Sequence, residues 1–271
     1  MMINNLRFEL SFKNISQLEN KLNFCKLNNI RNINIPCKGP IKQDFFNATI
    51  KYISENFKEF NVTYHYSLYH QYNKNKEKSY NDFLDFLKNS YSNRNYEILL
   101  VSGSNKKKNF DVIKVLANLK KEKNLKVKLG IAFNPYLKKY YDVPSERERL
   151  ESKISSGLIN SIWFQYGTDI EVIKNEVSHL EKVVETKKLN LFGSLLIPSK
   201  QFIARFKFRP WKGVHISEKY LNSLDDFYNF TRDLVCFIKI IILLQLLKLI
   251  FQHQKNLVLS IDLLKMKRKL Y

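Results

Sequence analysis

Cysteine is scarce in this chain of 271 residues, and the three present, Cys25, Cys37 and Cys236, show no paired spacing. A disulfide framework is therefore excluded as the basis of the fold, and no metal site is expected. No secretory leader is read ahead of Arg7, so a reducing, cytoplasmic compartment is the expectation. Acidic residues are few beside basic ones, 25 against 46, for a formal net charge of +21. Such a charge ordinarily points to nucleic acid or an anionic membrane surface. Here the excess is mostly lysine spread among asparagine, as in Asn73-Lys-Asn-Lys-Glu-Lys78. A binding footprint clusters on one face, so a solvated lysine-rich surface is the better reading and no nucleic-acid partner is expected. Long apolar runs are also rare. Residues 235–251 come nearest, at about the shortest length able to span a bilayer, but Lys239, Gln245 and Lys248 interrupt them. Charges inside a span are costly, so this run reads as a buried or out-of-register helix, with no membrane expected.

What is present is alternation. Residues 125–165 read as strand, loop, helix, strand: the apolar run 127–133 is stopped by Asn134-Pro135. Ser145 opens a helix with Glu148 three residues on as a capping box, Gly157 closes it in the left-handed position, and 161–165 is the next strand. The same unit recurs. Strands are expected at 6–12, 32–36, 61–68, 97–101 and 191–197 as well. Helices are expected at 16–28, 45–57, 80–87, 110–119 and 171–184, with another from Pro198 carrying Phe202, Ile203 and Phe206, and 71–78 as a solvated loop. A repeat of about thirty residues belongs to a barrel or a doubly wound sheet, and seven such units favour the barrel. The expected fold class is α/β, a (β/α)8 TIM-type barrel, with residues 256–261 as its eighth strand. Residues 1–234 would form the barrel and 235–271 a divergent C-terminal segment that completes it.

Several side chains admit two readings. Glu9 shares the polar parity of the first strand with Arg7 and Ser11; it either lies inside the barrel mouth, where barrel chemistry sits, or belongs to an edge strand in water. His65 alternates with Thr63 and Ser67 and is either a satisfied structural histidine or a ligand. The turn Ser102-Gly-Ser-Asn105 either brings backbone N–H groups to a phosphate or merely reverses the chain. Glu146, Arg149 and Lys153 share one helical face, as an acceptor and cations along an extended cofactor or as a solvated charge stripe.

Taken together and in order, Leu129-Gly-Ile-Ala-Phe-Asn-Pro135, the helix ending at Gly157, Trp163-Phe-Gln165, Gly193-Ser-Leu-Leu-Ile-Pro198 and Phe206-Lys-Phe-Arg-Pro-Trp-Lys-Gly213 resemble the methylenetetrahydrofolate reductase family, especially its short, reductase-like branch. The resemblance runs from Arg7 to about Leu234. It implies a barrel that holds FAD, takes a hydride from NADH or NADPH, and reduces 5,10-methylenetetrahydrofolate to 5-methyltetrahydrofolate. It implies a proton-donating role for Glu9, and flavin contacts for His65, Gly103, Ser104, Phe133, Glu146 and Lys153. It implies a folate or nicotinamide contact for Gln165, and a homo-oligomer is compatible with it. Trp211 reads as a packing aromatic. The chain departs from the family where Ser102 and Ser104 replace an arginine and an aspartate and where Phe133 replaces a tyrosine. These departures admit an alternative, a catalytically silent barrel that binds folate or a partner.

Overall fold

Strands rich in Ile, Val, Leu and Tyr and separated by amphipathic helices can satisfy their backbone groups only by pairing side by side beneath a helical layer. The computed structural model describes residues 7–37, 39, 43–90, 96–102, 111–122, 127–137 and 145–253. Its elements are β1 (Phe8–Glu9), α1 (Ile15–Leu27), β2 (Asn32–Ile35), α2 (Gln43–Asn56), β3 (Asn61–Ser67), α3 (Lys76–Ser90), β4 (Tyr96–Val101), α4 (Val112–Leu119), β5 (Leu129–Phe133), α5 (Glu146–Ile154), β6 (Ile159–Phe164), α6 (Ile170–Lys187) and β7 (Asn190–Phe192). After these come α7 (Lys200–Phe208), α8 (Glu218–Asn222) and α9 (Leu224–His253). Among the described residues the seven strands form one sheet in sequential order, every neighbouring pair parallel.

The sheet curls. In a flat sheet the first and seventh strands would stand about 29 Å apart, six spacings of roughly 4.8 Å. Instead the Arg7 guanidinium, just ahead of β1, lies 5.7 Å from the Trp163 ring centroid on β6 and 5.9 Å from that of Phe192 on β7. The α/β alternation and curled parallel sheet agree with the expected architecture. The expected eighth strand at 256–261 lies outside the described residues.

Strand parity decides the core. Ile33, Ile35, Val62, Tyr64, Tyr66, Ile98, Leu100, Leu129, Ile131, Phe133, Ile162 and Phe164 are all 4% exposed or less. They pack with Leu18 and Leu22 of α1, Phe46 and Ile50 of α2, Phe83 and Phe86 of α3, and Leu150 and Ile154 of α5. Each large side chain so buried contributes about 1.5–3 kcal/mol by transfer alone. Helix starts are set by side chains that accept from orphan N–H groups: Asn14 for α1, Asp111 for α4, Asp169 for α6 and Ser199 for α7. The capping box of Ser145 and Glu148 forms as expected, and Gly157 takes φ +75° beyond the end of α5.

Three elements, β1, α3 and β7, show the differences from expectation that matter most for the sheet and its edges. The first strand pairs only over Phe8–Glu9, with one further bond from Leu10 N–H to the Asn34 carbonyl. Helix α3 begins at Lys76, inside the expected loop, because Asn75 Oδ1 accepts from Lys78 N–H; that turn is polar all round and shows no apolar period. Strand β7 ends at Phe192, since the chain turns off at Gly193 and Ser194 Oγ donates to the Phe164 carbonyl, leaving Ile197 75% exposed.

Beyond β7 a second core forms. Phe227, Phe230 and Leu234 of α9 close on Tyr166, joined by Phe202 and Ile203 of α7, Tyr220 of α8 and Ile170 and Ile173 of α6. Helix α9 runs without a break through residue 234, where a segment boundary is expected. Among the described residues no helix is long and apolar enough to cross a membrane.

Phe46 tests the main core. It is 1% exposed, with its ring centroid 4.7 Å from Phe86 and 6.2 Å from Tyr64. Phe46→Ala should lower the unfolding free energy by about 3–5 kcal/mol in urea denaturation. Phe24→Ala, at a site 60% exposed, should change it by no more than about 0.5 kcal/mol.

Candidate functional site

The parity that sends apolar side chains to the helices leaves on the concave face of the sheet a mixed set, with Asn34, Thr63, His65, Glu97 and Ser161 beside Leu99, Ala132 and Trp163. Arg7 crosses this face: Nε donates to Asn34 Oδ1 at 2.9 Å, and Nη2 donates to the Ile33 and Asn61 carbonyls, both at 2.9 Å. Burial pushes its pKa down to about 10, against the opposing pull of the Glu97 charge. Glu97, early in β4, accepts from Ser161 Oγ at 2.5 Å, and Ser161 Oγ in turn accepts from Trp163 Nε1 at 2.7 Å. Burial pushes the Glu97 carboxyl up, opposed by the Ser161 hydrogen bond and by the charges of Arg7 and Lys128.

This chain of bonds joins β4 to β6 across β5, and Gly130 is the reason that it can. A Cβ at Gly130 would stand 2.6 Å from both Ser161 Oγ and Trp163 Nε1. Trp163 is held further by Phe192, whose ring stacks on it at 4.2 Å and 23°, and by the edge of His65 at 6.4 Å.

Chemistry on a parallel sheet gathers at the carboxyl ends of the strands. There, residues 209–217 form a strap over β5 and β6. Asn134, the first residue past β5, donates from Nδ2 to the Gly213 carbonyl at 2.7 Å. His215 bridges to Gly167, its carbonyl accepts from Thr168 N–H at 2.9 Å, and its ring stacks on Tyr136 at 5.4 Å and 15°. Gly167 is obligatory at that crossing, because a Cβ there would lie 2.1 Å from the Tyr136 ring.

The sequence-predicted residues divide into three groups. Glu9, His65 and Gln165 stand at strand ends: Glu9 closes β1 and is exposed, His65 is two residues from the end of β3 and half-buried, and Gln165 follows β6 and is half-buried. Gly103 and Ser104 lie outside the described residues; Ser102, just before them, is half-buried at the end of β4. Phe133, Glu146 and Lys153 lie elsewhere. Phe133 is 1% exposed and faces the helical core, edge-on to Phe164 at 5.3 Å.

Glu146 and Lys153 belong to a buried ionic cluster, which corrects the picture of a solvated stripe. Lys153 Nζ donates to Glu146 Oε1 at 3.2 Å and to the Ala132 carbonyl at 3.1 Å. Arg149 pairs with Asp111 at 2.8 Å and with Glu146 at 3.4 Å. All four side chains are at most 14% exposed. Burial pushes the Lys153 ammonium down in pKa, with Glu146 opposing. The apolar neighbours Leu150 and Ile154 bring this face of α5 down onto β5, so the charges on it are buried as a set.

Arg7, Glu97, Ser161, Trp163 and Asn134 carry the polar framework, yet the sequence reading assigns no role to them. One signal was there to use: Ser161, Trp163 and Gln165 share one parity on β6. Among the described residues no group of three or more His, Cys, Asp or Glu is placed to hold a metal ion. Comparison with protein-family models and with curated proteins returns no match to the chain.

Two measurements probe this framework. Gly130→Ala should lower the unfolding free energy by about 1–3 kcal/mol, since its methyl group must displace Ser161 or Trp163 in a packed face. The Glu97 carboxyl is held above its usual 4.5, so as pH rises the unfolded chain releases that proton first. The carboxyl therefore lowers stability progressively as pH climbs from 4.5 through the folded-state pKa, after which its effect is constant. Glu97→Gln should remove that decline in urea denaturation at a series of pH values; parallel profiles for the two proteins would contradict the role given to burial.

Proposed function

We propose that this protein is a flavin-dependent oxidoreductase of one-carbon metabolism. It would reduce 5,10-methylenetetrahydrofolate to 5-methyltetrahydrofolate with NADH or NADPH, in the cytoplasm, on a (β/α)8 barrel completed by residues beyond α9. The observation that carries this reading is the position of Glu9, His65 and Gln165, the residues that the motif resemblance singles out on three separate strands. Glu9 ends β1, Gln165 directly follows β6 and His65 lies two residues short of the end of β3, all toward the carboxyl ends of strands in one curled parallel sheet, where barrel enzymes hold their substrates.

Bound FAD would supply hydride acceptance from the nicotinamide and hydride donation to the folate. His65 and Gln165 fit the ring half of such a cofactor and its partner: the Gln165 carboxamide offers both a donor and an acceptor to a heterocycle edge. Glu9, exposed at the end of β1, would hold the proton that goes to N10 of the folate and so open its five-membered ring. Phe133 and Lys153 do not fit. Phe133 has its face in the core, and the Lys153 ammonium is spent on Glu146 and the Ala132 carbonyl rather than being free for a diphosphate.

That mismatch, with Ser102 in place of an arginine, favours a second reading: a catalytically silent barrel that keeps a folate or partner site. Anaerobic mixing with NADH or NADPH separates the two, because an active reductase bleaches its flavin and a silent barrel does not. A colourless protein that FAD cannot reconstitute would overturn the flavoprotein reading. In the active case Glu9→Gln should leave flavin reduction intact and slow reoxidation by methylenetetrahydrofolate by about two to four orders of magnitude. Unchanged reoxidation in stopped flow would remove Glu9 from the chemistry.

A further inference from the structure

The strap over β5 and β6 has a glycine where it passes Gln165. Gly213 is exposed at the rim with φ +80°, and a Cβ built on it would lie 3.2 Å from Asn134 Nδ2 and 3.9 Å from Gln165 Nε2. Any side chain at this position would therefore stand against both carboxamides.

The two carboxamides are not equivalent. Asn134 is committed at both ends: Oδ1 accepts from Tyr136 N–H at 3.1 Å, and Nδ2 donates to the Gly213 carbonyl at 2.7 Å. Among the described residues Gln165 is committed at one. Its Oε1 accepts from Tyr166 N–H at 3.3 Å, which turns Nε2 toward the gap beneath Gly213. The strap is also tied down on the far side, where Thr168 N–H donates to the His215 carbonyl at 2.9 Å and Ser217 N–H donates to Thr168 Oγ1 at 2.9 Å. With the Gly213 carbonyl held by Asn134 and residues 215 and 217 held by Thr168, the strap has little freedom to back away from an added side chain.

We infer that Gly213 is a specificity-determining position and Asn134 the residue that positions it, the two together keeping the Gln165 amide open to a flat heterocycle. The group that suits this gap is a ring carbonyl or ring nitrogen, which accepts from a primary amide N–H and lies flat beside a peptide plane. The inference rests on the proposed role of Gln165 as a substrate contact, and it names the residues that govern access to it.

The test uses the FAD-reconstituted full chain and calorimetric titration with 5-methyltetrahydrofolate and, separately, NADH. Affinity is expressed per bound flavin, so a variant that folds in reduced yield still reports. Gly213→Asn is the informative change, because asparagine tolerates positive φ better than other side chains while filling the gap. It should weaken binding of at least one of the two ligands by about tenfold or more, the value of one good hydrogen bond. Gly213→Ala adds strain at that φ but only a methyl group, and should weaken it less. In a Gln165→Ala background, neither Gly213→Asn nor Asn134→Ala should cost further affinity, since both act through the same amide. Wild-type affinity for both ligands in Gly213→Asn, or losses that add in full to that of Gln165→Ala, would overturn the inference while leaving the proposed function standing. Failure of the wild-type protein to bind either ligand would overturn the role of Gln165 itself and this inference with it.

Discussion

A carboxyl group on β4 reaches a hydroxyl on β6 because β5 places no side chain between them. That gap at Gly130 lets Glu97, Ser161 and the Trp163 indole form one hydrogen-bonded chain across three strands. Much of the concave face depends on it. Trp163 so fixed carries Phe192 on one side and the edge of His65 on another, and its ring faces the Arg7 guanidinium. Arg7 is in turn bonded to β2 and to the start of β3. The start of the first strand and the sixth and seventh strands are thereby drawn together, and the sheet is held in its curl by contacts on the concave face as well as by apolar packing on the other.

Charge buried beneath α5 serves a comparable purpose on the helical side. Asp111 caps α4 and pairs with Arg149; Arg149 and Lys153 share Glu146; Lys153 reaches the Ala132 carbonyl on β5. A lone buried ammonium would be strongly disfavoured, but here the lysine has both a carboxylate and a carbonyl. The cluster joins two helices and a strand. It also commits to one another the very groups that the sequence offers to an anionic cofactor.

Most of the alternating frame was legible in the sequence, because its signals are local. The apolar run of β5, its stop at Asn134-Pro135, the Ser145 and Glu148 capping box and the positive φ of Gly157 each depend on a few neighbouring residues. The strand ends were less legible. β7 stops at Phe192 because Ser194 bonds back to Phe164, thirty residues away, and the start of α3 rests on the side chain of Asn75 in a turn with no apolar period. Of the candidate site, Glu9, His65 and Gln165 could be placed from strand parity and motif order. The helix bearing Glu146, Arg149 and Lys153 was also placed correctly, but not the face on which it would be buried.

By itself, then, the sequence determined the order of strands and helices, the caps that start and stop α5, and which face of the central strands is apolar, since hydrophobic period and backbone capping act within a turn or two. Only the tertiary structure decided which polar residues meet. Glu97 and Ser161 are 64 positions apart and Asn134 and Gly213 are 79 apart, and nothing in either neighbourhood of the chain announces the other. Their meeting follows from the curl of the sheet and the return of the strap. It depends on glycine at Gly130 and Gly213, where the decisive property is the space left by a side chain that is not there.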